Sequence, residues 1–127
     1  MKKILVADDD PVMIGLYQFN LKKAGYQILV CREGASVVAT MQEEKPSLAI
    51  LDLMLPGRSG WELIEDITAD ESIAKTPLVV VTGQGKESTK EDLLKQGAAS
   101  VFTKPFSPRV LLACIQELLD KAPANCS

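Results

Sequence analysis

The sequence predicts a single α/β domain in which five parallel strands alternate with five helices. Five short runs rich in apolar and β-branched residues recur along the chain, and each is followed by a segment with helical character. The two middle runs, LAIL and LVVV, are continuously apolar, which is typical of strands buried on both faces of a parallel sheet. A length of 127 residues is that of one domain. The regular alternation therefore predicts a doubly wound (βα)5 architecture with right-handed crossovers.

The predicted strands cover 4–7, 27–31, 48–51, 78–82 and 100–103. The first helix, over 11–24, has clear boundaries at both ends. Asp10 stands at its N-cap, Pro11 occupies its first position and Gly25 follows its last turn. Apolar residues between these signals recur at i, i+3 and i+4 spacing, as they do on one face of a helix.

The second and third helices are predicted over 35–44, before Pro46, and from about Gly60 onwards. Similar signals bound the last two helices. The fourth is expected to begin with Ser88 as N-cap, where Glu91 completes a capping box. The fifth is expected to begin with Ser107 as N-cap and Pro108 in its first position.

Composition and charge argue against several classes of protein. The formal net charge of −3 argues against the basic face of a nucleic-acid-binding domain. The apolar run after MKK is shorter than the roughly 7–15 residues of a secretory signal. No segment approaches the roughly 20 apolar residues of a membrane span. We therefore expect a cytoplasmic domain without membrane contact.

The cysteines and the absence of histidine narrow the chemistry further. Cys31, Cys114 and Cys126 are odd in number and far apart, so they predict neither a disulfide framework nor a zinc site. The chain contains no histidine, which excludes Ser-His and Cys-His nucleophile arrangements within it.

Polar residues stand where four of the predicted strands end. In an open parallel sheet, ligands bind at the carboxyl ends of the strands. In strand order, these residues are Asp8 and Asp9, then Asp52, then Thr82 and Gly83, and finally Thr103, Lys104 and Pro105. If the first, third, fourth and fifth strands are neighbours, three carboxylates, a hydroxyl and an ammonium group converge on one pocket.

These residue types favour phosphate chemistry with a hard cation. Two carboxylates about 4 Å apart repel by about 1 kcal/mol in water and about 4 kcal/mol at an effective dielectric constant of 20. A divalent cation relieves that repulsion, and ligands that are oxygens only favour Mg²⁺ or Mn²⁺. An aspartate also serves as a covalent phosphoryl acceptor, while a lysine and a hydroxyl stabilise the phosphoryl charge.

Four segments, ILVADDD, LAILDLMLPGRSGWEL, VVVTG and VFTKPF, resemble in order and spacing the receiver domain of two-component response regulators, including single-domain chemotaxis receivers. The resemblance covers residues 3–121. It implies a flavodoxin-like fold with strand order 2-1-3-4-5 and a receiver domain over 1–122. The tail over 123–127 is expected to be disordered.

The resemblance also implies a role for each matching residue. Asp52 would accept a phosphoryl group from the phosphohistidine of a sensor histidine kinase. Asp9, Asp52 and the backbone carbonyl of Met54 would bind Mg²⁺ directly, and Asp8 would bind it mainly through water. Mn²⁺ would be an alternative ion.

Further matching residues would stabilise the phosphoryl group. Thr82 would bond a phosphoryl oxygen, Lys104 would pair with the acyl phosphate and Gly83 would leave room for it. The Lys104–Pro105 peptide would be cis, which costs an X-Pro bond only about 0.5–1 kcal/mol.

One position departs from the family pattern. The usual aromatic switch residue lies three positions before the lysine, where this chain has Val101. The aromatic residue comes one place later, as Phe102, and successive strand residues face opposite sides of a sheet. The sequence therefore leaves open whether the usual threonine–aromatic coupling operates.

The function implied is a phosphorylation-controlled signalling switch rather than an enzyme. Its output surface would be the fourth helix, fifth strand and fifth helix, which would also mediate any weak dimer of an otherwise monomeric domain. Its partners would be a sensor histidine kinase and either a downstream protein or an effector domain, without direct contact to nucleic acid.

Two other functions remain open. One is a docking receiver that works without phosphorylation. The other is a haloacid-dehalogenase-like phosphohydrolase, because DDDPV fits its D-x-D-x-[TV] pattern with Asp8 as nucleophile and Asp10 as acid/base. Against the hydrolase, Asp52 would be left without a role, and this chain supplies no acidic pair after its fourth predicted strand.

Overall fold

A computed structural model describes the backbone of residues 2–83 and 87–125, and the side chains of 2–83 and 89–120. The strands are β1 (Lys3–Ala7), β2 (Gln27–Cys31), β3 (Leu48–Asp52), β4 (Leu78–Thr82) and β5 (Ser100–Thr103). The helices are α1 (Pro11–Lys23), α2 (Val37–Glu44), α3 (Gly60–Thr68), α4 (Glu87–Gln96) and α5 (Pro108–Asn125), with a 3-10 turn, Gly34–Ser36, before α2. The predicted α/β class is confirmed.

The five strands form one parallel sheet in the order β2-β1-β3-β4-β5, which confirms the predicted flavodoxin-like arrangement. The register pairs Ala7 with Leu51, so β1 and β3 end side by side. It also pairs Thr82 with Thr103 at the ends of β4 and β5. The polar residues that follow these strands are thus brought to one edge of the sheet.

Helices cover both faces of the sheet, and each face has its own apolar core. On one face, residues of α1 and α5 such as Tyr17 and Ile115 pack against Ile4, Val6 and Ile50. On the other face, residues of α2, α3 and α4 pack against the alternate side chains of the same strands. Every residue of β3 and β4 is buried, as the continuous apolar runs predict.

Most of the predicted helix boundaries hold. The Asp10 side chain accepts a hydrogen bond from the backbone N–H of Val12 at 2.9 Å, which confirms the α1 N-cap. Helix α2 begins at Val37 rather than 35, because the chain first makes the 3-10 turn. Its end is set by Lys45, whose backbone is left-handed, with φ of 50°.

Helix α5 begins as predicted, whereas helix α4 begins one residue earlier than predicted. Helix α4 begins at Glu87, one residue before the predicted N-cap Ser88, whose side chain lies outside the described residues. The Ser107 hydroxyl caps α5 by accepting from the N–H of Val110 at 3.4 Å, as predicted. Helical backbone then continues to Asn125. Cys126 lies outside the described residues, and the disordered tail stays a prediction.

Within the described residues, none of the helices combines the length and the apolar character that a membrane crossing requires.

Candidate functional site

Three carboxylates meet at the carboxyl edge of the sheet. Asp8 follows β1 and Asp52 ends the adjacent strand β3. These two residues are 1% and 7% exposed, while Asp9 is exposed to solvent. One oxygen of each of the three lies within 4.8 Å of the other two. In the described part of the chain, this is the only group of three such side chains close enough to share a metal ion.

Backbone N–H groups two residues further along the chain orient the two buried carboxylates. The N–H of Asp10 donates to Oδ1 of Asp8 at 2.9 Å, and the N–H of Met54 donates to Oδ1 of Asp52 at 3.1 Å. The second oxygen of each carboxylate is turned toward Lys104. Its Nζ lies 3.3 Å from Oδ2 of Asp52 and 3.7 Å from Oδ2 of Asp8.

Burial dominates the electrostatics of Asp8. Loss of solvent raises the pKa of the Asp8 carboxyl above its ordinary value. The N–H of Asp10 and the ammonium of Lys104 lower this pKa, whereas the charges of Asp52 and Asp10 raise it, and the net direction is upward. The positive charge of one lysine therefore does not fully compensate the negative charge of the pocket. An added cation is electrostatically favoured there.

The other predicted site residues lie around these carboxylates. Thr82 ends β4 and is fully buried, and its carbonyl accepts a hydrogen bond from the N–H of Lys104 at 2.8 Å. Among the described residues, a methyl group built on Gly83 would meet nothing within 4 Å, so there is free space beside its backbone. The Lys104–Pro105 peptide is cis. Met54 is 70% exposed.

The two residues at the departure from the family pattern face opposite sides of the sheet. Val101 packs against the core beneath α2, α3 and α4, whereas Phe102 packs against the core beneath α1 and α5. The Phe102 ring lies edge-on to Phe106, with 6.1 Å between centroids and 71° between planes. Phe102 therefore does not occupy the place of the missing aromatic residue, as the strand alternation predicts.

The loop after Asp52 is held by a residue that the sequence does not single out. The N–H of Gly34 donates to the carbonyl of Pro56 at 2.8 Å. A methyl group on Gly34 would lie 2.5 Å from both Cβ and the carbonyl oxygen of Arg58, so only glycine fits. The Arg58 guanidinium in turn binds both carboxylate oxygens of Asp66, on α3. The hydrogen bond from Gly34 and the ion pair with Asp66 thus hold the loop that carries Met54 in place.

A flavodoxin-like sheet with an acidic pocket and a facing lysine at its carboxyl edge defines the receiver class of signalling domain. The response regulator receiver domain family matches residues 4–116, and the chain belongs to this family. Membership places it in two-component signal transduction, among domains that are not enzymes in the classical sense.

Known proteins agree with this assignment. The chain is 37% identical over 118 residues to the phosphate regulon transcriptional regulatory protein PhoB of Pseudomonas aeruginosa. The matched region covers 93% of this chain and 52% of PhoB, so the chain spans about half the length of that relative.

Two solved structures show the same architecture. One is a CheY-like response regulator receiver domain from Methanospirillum hungatei, with a TM-score of 0.89, 30% identity and coverage of 98% of both chains. The other is the BeF3-activated N-terminal receiver domain of RstA from Klebsiella pneumoniae, with a TM-score of 0.86 and 30% identity. That match covers 93% of this chain and 98% of the RstA domain.

Proposed function

We propose that the chain is a phosphorylation-controlled switch in which Asp52 accepts a phosphoryl group from the phosphohistidine of a sensor histidine kinase. The observation that carries this proposal is the convergence of Asp8, Asp9 and Asp52 opposite Lys104 at one edge of the sheet. A nucleophilic carboxylate, an acidic pair and a fixed ammonium group are the parts that phosphoryl transfer to an aspartate requires.

The pocket fits a hard divalent cation. Its donors are oxygens only, and the buried Asp8 has a raised pKa that a cation would lower. Asp9, Asp52 and the carbonyl of Met54 would hold Mg²⁺ or Mn²⁺, and Asp8 would contact the water around it. When bound, the ion would offset the negative charge of the phosphoryl oxygens.

Several residues of the chain then have distinct roles in the phosphoryl transfer. An oxygen of Asp52 forms a bond to phosphorus while the bond between phosphorus and the donor imidazole breaks. The Lys104 ammonium, already 3.3 Å from Asp52, pairs with the acyl phosphate, and the Thr82 hydroxyl donates to a phosphoryl oxygen. The open backbone at Gly83 leaves room for the group.

Phosphorylation then shifts an equilibrium between two forms of the output surface. We place that surface on α4, β5 and α5, where it would contact a downstream protein or an effector domain and would mediate any weak dimer. The relative PhoB is a transcriptional regulator about twice as long as the matched region, which supports an effector domain as one form of output.

The direct test is incubation of the chain with a small-molecule phosphodonor, with Mg²⁺ or with EDTA, followed by intact mass spectrometry. We expect a mass gain of one phosphoryl group that requires the cation. If no gain occurs at any Mg²⁺ concentration, the proposal is wrong.

A second measurement, partner binding with and without phosphodonor, distinguishes the alternative of a docking receiver that needs no phosphorylation. Val101 is the observation that favours this alternative, because the usual aromatic switch residue is missing and Phe102 packs on the opposite face. A docking receiver would bind its partner equally well with and without phosphodonor, whereas a switch would not.

Met54 is expected to set the lifetime of the phosphoryl group. Its exposed apolar side chain stands beside Asp52 and hinders the attacking water more than an amide would. We expect Met54→Asn to speed autodephosphorylation severalfold, measured as loss of the phosphorylated mass after the donor is removed. An unchanged or slower rate would contradict this role, and Val12→Asn, at a comparably exposed residue of α1, serves as control.

A further inference from the structure

Tyr17 carries a buried hydroxyl that the proposed transfer does not use. The residue lies on α1 and is 2% exposed. Among the described residues, its hydroxyl has no hydrogen-bond partner. A buried polar group without a partner is costly, so it calls for an explanation in terms of function or unusual surroundings.

The position of Tyr17 relates it to the acidic pocket. It belongs to the core cluster that contains Val6 and Ile50, which precede Asp8 and Asp52 by two residues and therefore share their face of the sheet. Helix α1 begins immediately beyond the aspartates, and long helical side chains lean toward the N-terminus of their helix. The Tyr17 side chain thus lies on the same face of the sheet as Asp8. It leans toward the carboxyl edge of the sheet, where Asp8 stands.

A ring contact connects Tyr17 with the lysine side of the pocket as well. The Tyr17 ring stacks on that of Phe106, with 6.0 Å between centroids and 15° between planes. Phe106 is two residues beyond Lys104, whose ammonium faces Asp8 and Asp52. This stacking holds the tyrosine ring in one place next to the segment that carries Lys104.

The electrostatics agree with this placement. Burial raises the pKa of the Tyr17 hydroxyl, and the negative charges of Asp8 and then Asp52 raise it further. A tyrosine hydroxyl is protonated at neutral pH and can therefore donate a hydrogen bond. Oδ2 of Asp8 is the matching acceptor, because it is buried and lacks a hydrogen-bond partner among the described residues.

We infer that the Tyr17 hydroxyl is a positioning donor for Oδ2 of Asp8, directly or through one water molecule, in the cation-loaded pocket. The inference rests on the proposed function, since it assigns Tyr17 to the same site. A neutral donor fixes the Asp8 carboxylate toward the cation without adding a second positive charge that would compete with it. Tyr17 acts through Asp8 and does not touch the phosphoryl group.

The test compares Tyr17→Phe with Tyr26→Phe. These are the two tyrosines of the chain, and Tyr26 lies before β2, at the opposite edge of the sheet. Both changes delete one hydroxyl and keep the ring. In Tyr17→Phe, the stacking on Phe106 is therefore kept. Mg²⁺ affinity is measured by calorimetry, and the free energy of unfolding is measured by urea titration in EDTA.

We expect Tyr17→Phe to bind Mg²⁺ about tenfold more weakly than wild type, the usual size of an outer-shell effect on metal affinity. Without cation, this variant is expected to be as stable as wild type or more so, since it lacks a buried hydroxyl without a partner. Tyr26→Phe is expected to bind Mg²⁺ as wild type does.

Three outcomes overturn the inference, and they are distinguishable. Equal Mg²⁺ affinity in wild type and Tyr17→Phe overturns it alone. A Tyr17→Phe variant that loses stability in EDTA in proportion to its loss of affinity shows that the hydroxyl is structural. A wild-type chain that neither binds Mg²⁺ nor takes up phosphate overturns the proposed function, and this inference with it.

Discussion

Replacement of Asp52 by asparagine is expected to abolish phosphorylation of the chain. Asparagine keeps the shape of the side chain but removes the nucleophilic oxygen, and its amide group cannot form the acyl phosphate. With a small-molecule phosphodonor and Mg²⁺, the intact mass of Asp52→Asn should stay unchanged while wild type gains one phosphoryl group. A mass gain in the variant equal to that of wild type would contradict the assignment.

Asp10→Asn is the matched control for this experiment. Asparagine caps helices as well as aspartate does, so the hydrogen bond to the N–H of Val12 is kept. We expect this variant to be phosphorylated as wild type is. A haloacid-dehalogenase-like hydrolase would show the reverse pattern, because Asp10 would be its acid/base and Asp52 would be dispensable.

Replacement of Asp8 by asparagine is expected to stabilise the cation-free chain and to impair its function. At neutral pH the buried carboxylate repels Asp52 and is incompletely compensated by Lys104. The neutral amide removes this cost, and the expected gain in the free energy of unfolding is on the order of 1 kcal/mol. The same change should weaken Mg²⁺ binding about 10–100-fold, because the cation loses a negatively charged neighbour.

The raised pKa of Asp8 fixes how the stability gain of Asp8→Asn should depend on pH. The pKa of Asp8 is raised in the folded chain, so its contribution to stability is full below the ordinary value of 3.8 and is lost as the pH rises through the folded-state pKa. The stability advantage of Asp8→Asn should therefore be near zero below pH 3.8, grow through the window above it and then level off. Urea titrations of both proteins in EDTA, from acidic to neutral pH, measure this difference. An advantage that shrinks as the pH rises would contradict the raised pKa.

Much of the fold is predictable from local signals that physical chemistry explains well. The continuous apolar runs of β3 and β4 indicate strands covered on both faces, and Asp10 followed by Pro11 marks the start of α1 without ambiguity. The predicted convergence of the strand ends depends on the strand order, which the family resemblance supplies. Once the order 2-1-3-4-5 is confirmed, the register places Asp8 beside Asp52.

Other features depend on contacts between distant segments and have no local signal. Gly34 looks like an ordinary turn glycine, and only its approach to Pro56 and Arg58 in space shows why a side chain does not fit. Tyr17 fits the apolar periodicity of α1, so its sequence position indicates packing and says nothing of the nearby carboxylates.

The reciprocal Ser59–Glu62 cap of α3, by contrast, has a local signal in the sequence, the pattern S-x-x-E, which the prediction missed.

The central claim is that Asp52 itself carries the phosphoryl group, and its most direct test is chemical mapping of that bond. Borohydride reduces the acyl phosphate of an aspartate to homoserine, which peptide mass spectrometry then locates. After incubation with a phosphodonor and Mg²⁺, we predict homoserine at position 52, with Asp8, Asp9 and Asp10 unchanged. Homoserine at position 8, or an intact Asp52 in a chain that has gained phosphate, would contradict the account.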